Sequence, residues 1–317
     1  MLTEADLRIL IALRSPKSIT ELSDTTDYSQ SYVSERVSHL EKWDLVATST
    51  RNRSKIVRVL HTPVLESYRN LTAADTHMDF PSLISPSMLH VSWFLDSPST
   101  VQDIESRLAL RRRRIYQLLD QLQSRGFIFK QNEKYALTED LTGLAHFAQT
   151  VVRFQHQHQA QILLPTATVI WSAPQEALVT ASDETAETAQ EAFEDRPDWH
   201  MTGLPRFAEY GLEFFIAGPP PYFYSNIRDT LSPADLIAQT LLIDTDTRNL
   251  SYCALLLIAA EVDFDELRST ASYYDIEGAT SALLRFVESN GHTRKGDIPL
   301  PDWAEIESLA SQYGVSI

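Results

Sequence analysis

Apolar residues near the start of the chain recur first at helical and then at strand spacing. Leu7, Leu10, Ile11 and Leu13 fall every third or fourth position, which predicts a helix with one buried face, and Pro16 ends it. Ser18 followed by Glu21 is a capping-box pattern for a short second helix. Ser29 or Ser31 opens a third helix whose buried stripe is Val33, Val37 and Leu40. A β-favouring run, Leu45 to Thr50, then meets the polar turn Arg51-Asn52-Arg53-Ser54 and a second strand, Lys55 to Leu60. The predicted order is three helices and a hairpin.

Set against itself at an offset of 82 residues, the chain repeats this pattern without a gap. Leu13, Ser15, Pro16, Ser18, Ile19, Glu21 and Leu22 fall on Leu95, Ser97, Pro98, Thr100, Val101, Asp103 and Ile104. Val33, Val37, Leu40, Leu45 and Val46 fall on Ile115, Leu119, Leu122, Phe127 and Ile128. The second hairpin, with turn Gln131-Asn132-Glu133, reads as shorter by about half a dozen residues. Between the copies, Thr62-Pro63 starts a helix ending near Thr72, and a loop runs through Asp79, Pro81, Ser85 and Pro86. After the second copy, Thr138 is the expected cap of a long helix to about Gln161, with Leu141, Leu144, Ala148, Val151 and Val152 as its apolar stripe.

From Thr166 the pattern changes. Val169-Ile170-Trp171 and Ala177-Leu178-Val179 read as strands, Asp183 to Glu194 as an acidic helix and Leu212 to Ala217 as a further strand. Pro219 to Pro221 force an extended or turning segment, and Ser232-Pro233 opens a helix carrying Leu236, Ile237, Leu241 and Leu242. The remainder reads as helical.

At 317 residues the chain has room for two or three domains, and its apolar runs are too short for a bilayer. Cys253 is the single cysteine, so no intramolecular disulfide forms, and no Cys/His set has zinc spacing. The opening MLTEADLRILIALRS lacks a cationic segment and a cleavage site, so no secretory signal is expected and the cytoplasm is the expected location. The net charge of −16 conceals a division. Residues 1–160 hold 19 Lys+Arg against 18 Asp+Glu, whereas residues 161–317 hold 8 against 25. Such an acidic, lysine-poor chain suits a salt-loving host such as a halophilic archaeon, and on that reading the acidity is solvation rather than a binding code.

The stretches SITELSDTTDYSQSYVSERVSHLEKWDLV and STVQDIESRLALRRRRIYQLLDQLQSRGFIF, each followed by a hairpin, resemble winged helix-turn-helix modules of MarR/ArsR-type regulators. The implied fold class is α+β. Two tandem winged helix-turn-helix domains, 1–75 and 84–163, precede a mixed α+β C-terminal domain, 164–317. The resemblance implies a third helix in the major groove of double-stranded DNA and a wing on the backbone or minor groove. Candidate contacts in the second copy are Arg111, Arg112, Arg113, Arg114 and Gln117. A guanidinium fork pairs with guanine or phosphate, and cations crowded at a helix N-terminus oppose its dipole until an anion relieves them. The alternative is a solvated charge run. In the first copy the matching candidates are Ser29, Gln30, Ser31, Tyr32 and Arg36, with Arg51, Arg53, Lys55 and Arg58 on the wing. Resemblance also implies a homodimer through the long helix, the alternative being that its stripe packs on its own chain. His156 and His158 point to different faces of that helix and are not expected to share a metal.

In the acidic domain, Asp244, Asp246, Glu261, Asp263 and Asp265 stand beside no phosphate-cradling loop, Ser/His/Asp set or metal-binding His pair, so neither an enzyme nor a cofactor is expected. Cys253 and the aromatics Tyr222, Phe223 and Tyr224 read as core. The segments WSAPQEAL, AEYGLEFF and LSPADLIAQTLL, placed behind winged helices, are similar to the C-terminal part of AbiEi-type antitoxins. That similarity implies autorepression and a nucleotidyltransferase toxin, or another protein, as partner of this domain. The expected function is a sequence-specific DNA-binding transcriptional regulator. A plasmid or viral replication initiator with tandem winged helices and a protein-interaction adaptor are the alternatives, and no membrane partner is expected.

Overall fold

Capping side chains fix where the first helices begin. The computed structural model describes residues 2–51, 53–74, 78–182, 184–216, 218–294 and 298–317. Helix α1 (Glu4–Ala12) starts in a capping box between Thr3 and Asp6. After strand β1 (Lys17–Ser18), the expected Ser18/Glu21 box opens α2 (Ile19–Thr26). Ser29, rather than Ser31, caps α3 (Gln30–Lys42), each such cap contributing about 1 kcal/mol. Val33, Val37 and Leu40 are fully buried, as their spacing requires. Strands β2 (Val46–Arg51) and β3 (Ser54–Val59) form the hairpin. Asn52 of its expected turn lies outside the described residues, as do Asp183 and Ala217 further on.

Helices α4 (Pro63–Ala74) and α5 (Phe80–Leu83) lead to the second copy. There α6 (Pro86–Phe94), β4 (Ser99–Thr100), α7 (Val101–Glu105), α8 (Arg112–Ser124), β5 (Ile128–Gln131) and β6 (Lys134–Leu137) follow the same order. Both bounds of α1, β1 and α3 recur 82 residues later in α6, β4 and α8, and Thr100/Asp103 repeats the capping box. The antiparallel sheets match as well, with orders β1-β3-β2 and β4-β6-β5. At the end of α3 the Leu45 N–H donates to Leu40, and at the end of α8 Phe127 donates to Leu122, both at 3.0 Å. The residue before each donor is left-handed, Asp44 at φ 51° and Gly126 at φ 74°, and glycine there removes the Cβ strain. The hairpins differ: Val46 pairs with Val59 but Ile128 with Leu137, so the second is four residues shorter, not half a dozen. Asn132 and Glu133, at φ 49° and 62°, make its tight two-residue turn.

Three expectations around the copies need correction. The loop through Asp79 contains α5, and Ser85 caps α6 beyond it. Thr138 caps nothing, because its hydroxyl donates to the Phe127 carbonyl at 3.3 Å. A 3-10 turn, Glu139–Leu141, intervenes before the long helix α9 (Thr142–Leu163). The α9 stripe is not free for a dimer partner. Leu141, Leu144, Ala148 and Val151 sit in one continuous core with residues of both copies, including Leu7, Val37, Leu89 and Leu119.

His90 of α6 sits within this half, its Nε2 buried without a hydrogen-bond partner among the described residues, and burial pushes it down to about 4. The unfolded chain therefore takes up the proton first as pH falls. Stability is lost from the unfolded value near 6.5 down to about 4, by roughly 3 kcal/mol for this group. His90→Leu should flatten that part of a pH series of denaturant unfolding curves. An unaltered series would remove His90 as the cause.

The described residues divide into two compact units, one ending at His158 and one beginning at Gln159. The second unit is mixed α/β around a four-stranded antiparallel sheet. Strands β7 (Ala167–Ala173) and β8 (Glu176–Ala181) meet at Pro174-Gln175. Thr185 caps α10 (Ala186–Phe193), and β9 (Trp199–Met201) and β10 (Tyr222–Ser225) complete the order β7-β8-β10-β9. Leu212 to Ile216 form no strand, a correction: Leu212 is buried in the core with the helices and Phe214 stacks on Tyr252 instead. Helices α11 (Pro233–Ile243), α12 (Thr247–Ala259), α13 (Phe264–Tyr274), α14 (Glu277–Glu288) and α15 (Trp303–Tyr313) follow. Adjacent strand residues face opposite cores. Leu178 and Phe223 pack with the helices, including buried Cys253, while Val179 and Tyr222 pack on the other side with Phe193.

Candidate nucleic-acid interface

Helix α8 owes its position to Ile115, Leu118, Leu119 and Leu122, all buried, which leaves its opposite face to solvent. On that face Arg111, Arg112, Arg113, Arg114 and Gln117 are exposed together at the first two turns. Arg111 occupies the N-cap position and its side chain makes no cap hydrogen bond. Arg111, Arg113 and Arg114 have no acidic partner among the described residues. Arg112 stands 3.5 Å from Glu105 and 5.9 Å from the ring centre of Tyr116, one turn along. Tyr116, 39% exposed, is a feature the sequence reading missed, although its i+4 spacing from Arg112 signals it. The helix thus presents three unpaired guanidinium groups and one braced one.

The matching face of α3 is different. Ser29, Gln30, Ser31 and Tyr32 are exposed, but the Ser29 hydroxyl accepts the Tyr32 N–H at 3.3 Å, and Tyr32 meets the edge of Tyr28. Arg36 does not belong with the groove-facing candidates. Its Nε and Nη2 donate to the two Asp6 oxygens at 3.0 and 2.5 Å, and Asp6 is fully buried. Nη2 also lies 3.1 Å from His39 Nδ1, and burial holds His39 below the ordinary histidine value. Asp6 carries this load because it faces the core from α1 while closing the Thr3 cap. The arginine is spent inside the molecule.

On the first hairpin, Arg51, Arg53 and Arg58 are exposed without an acidic partner among the described residues. Lys55 is half-buried and 3.5 Å from Glu41. On the second hairpin Lys130 pairs with Glu133 at 2.9 Å, leaving Lys134 exposed. Of the α9 pair His156 and His158, the first is buried and the second stacks on Trp43 at 4.8 Å. Among the described residues no group of three His, Cys, Asp or Glu side chains is placed to hold a metal, and no helix is long and apolar enough to cross a membrane.

A family model described as HVO_2833_C, C-terminal, matches residues 196–315. No curated protein matches the chain. The matched segment begins ahead of β9 and runs through α15, inside the acidic unit. The chemistry of the acidic unit centres on a buried polar network, anchored by Glu176 ahead of the matched segment, that the sequence reading missed. Glu176 of β8 accepts from Arg228 Nε at 2.6 Å, from Ser225 Oγ at 3.1 Å and from the Tyr273 hydroxyl. Arg228 Nη1 reaches Asp235 at 2.7 Å and Nη2 reaches the Tyr274 hydroxyl at 3.1 Å. Gln239 donates to the same hydroxyl at 2.7 Å and accepts from Thr202. Burial raises both tyrosines above their ordinary value. With its oxygens occupied by protein donors, Glu176 acts as a clamp between sheet and helices. Asp244, Asp246 and Asp263 are likewise occupied at helix starts: Asp246 and Asp263 cap α12 and α13, and Asp244 accepts the Asp246 N–H.

Proposed function

We propose that the chain is a double-stranded-DNA-binding transcriptional regulator built on two tandem winged helix-turn-helix repeats. The order helix, strand, helix, helix, hairpin, closed by a three-stranded antiparallel sheet, is the order of that motif, and it occurs twice. The observation carrying the reading is the row Arg111, Arg113 and Arg114, exposed and unpaired among the described residues on the helix before a hairpin. Solvated arginines with no counter-charge suit a polyanion, and their planar forks suit guanine edges or phosphates. The acidic unit is assigned sensing or protein pairing, including pairing with a second copy, since the α9 stripe is covered by its own chain.

Duplex binding by this surface carries a salt signature. For the full chain on a random-sequence duplex, log K should fall linearly with log salt. Replacing Arg51 and Arg53 by serine should reduce that slope by about two, about one per lost phosphate contact. Fluorescence anisotropy titrations across a salt series measure both. An equal slope for variant and parent would leave the first hairpin without a phosphate contact, and absence of duplex binding at low salt would end the DNA reading.

A further inference from the structure

Resting on the reading above, we propose that the two repeats share the duplex unequally: α8 of the second reads bases, the hairpin of the first grips the backbone, and α3 of the first reads no bases. The 82-residue register compares the two helices position by position. Where α8 opens with Arg111, Arg112, Arg113 and Arg114, the first repeat has Ser29, Gln30, Ser31 and Tyr32. Where α8 exposes Gln117, α3 exposes Glu35, whose carboxylate beside phosphates is repulsive. The one arginine of α3, Arg36, matches Leu118, a fully buried position, and is held by buried Asp6. Asp6 in turn matches Met88, also buried. The first repeat therefore has an internal ion pair where the second has an apolar pair, and the opening turns of its helix offer the groove no free cation; exposed Lys42 stands at the far end, in the last turn.

The hairpins show the opposite distribution. The first is the longer by four residues and carries exposed Arg51, Arg53 and Arg58. The strands of the second are each two residues shorter, and Glu133 in its turn neutralises Lys130, leaving Lys134 as its exposed cation. Unpaired arginines lie on the helix of one copy and on the hairpin of the other, so each repeat supplies what the other lacks. A duplex held this way would show an asymmetric preferred sequence, with base preference owned by one helix.

Selection of preferred sites from random duplexes by the full chain, followed by affinity measurement on the selected and random duplexes, tests this. Gln30→Ala with Ser31→Ala, both exposed, should keep the preferred sequence and bind within about twofold of the parent. Arg113→Ala with Arg114→Ala should lose roughly tenfold or more on the selected duplex and bind it no better than a random one. Arg51→Ser with Arg53→Ser should weaken both duplexes alike while the preference remains. A changed preference in the α3 variant, or a retained one in the α8 variant, would overturn the unequal division while leaving DNA binding intact. If the parent binds no duplex, the regulator reading itself fails. Thermal melts of each variant confirm that these surface replacements leave the fold in place.

Discussion

Asp6→Ala is expected to destabilise the N-terminal unit by about 3–5 kcal/mol, because it strands the Arg36 guanidinium at a mostly buried site. The loss combines two effects. The Thr3 cap loses its reciprocal carboxylate, and Arg36 loses both bonds of its fork. The second repeat suggests the compensating change, since its register mates are Met88 and Leu118 in the same apolar core. Asp6→Met with Arg36→Leu should therefore recover most of the loss, as buried ion pairs replaced by well-packed apolar residues are often neutral or stabilising. Denaturant unfolding of parent, both single variants and the double variant completes the cycle. A single-variant cost below about 1 kcal/mol would mean that Arg36 relaxes into solvent and is available to a ligand after all.

A comparable loss is expected in the acidic unit from Arg228→Met. Arg228 is the only cation bonded to Glu176 and Asp235 among the described residues, and those carboxylates are 1% and 9% exposed at the side chain. Removing it leaves two close like charges in a poorly solvated site, again about 3–5 kcal/mol. Arg228→Lys should recover only part, because an ammonium is a point charge whereas the fork reaches Glu176 through Nε and Asp235 through Nη1. Differential scanning calorimetry of the full chain reads this as a fall in the Tm of one transition. If methionine melts with the parent, the network is not what clamps β8 to α11 and α13.

Most of the N-terminal half was legible because its signals are local. Ser18/Glu21 and Thr100/Asp103 declare their helices within four residues, and the stripes of α3 and α8 repeat at helical spacing. The failures share a different cause, a partner distant in sequence. Arg36 looked like an exposed helix cation because Asp6 lies 30 residues away. The register did contain the clue, since it sets Arg36 on Leu118 and Asp6 on Met88, two apolar residues. Leu212 to Ala217 reads locally as a strand, but Leu212 packs with the helices and Phe214 stacks on Tyr252, partners distant in sequence. The Glu176, Arg228 and Tyr273 cluster joins three separate elements and leaves no local pattern at all.

The central claim, that the exposed face of α8 lies against duplex DNA, is tested most directly by proximity. Gln117 and Glu35 are register mates on the exposed faces of α8 and α3. A photoreactive residue placed at Gln117 of the full chain should crosslink to duplex DNA at low salt and lose that crosslink as salt rises. The same residue at Glu35 should give little. Absence of a crosslink from position 117 under conditions where the protein binds the duplex would contradict the account.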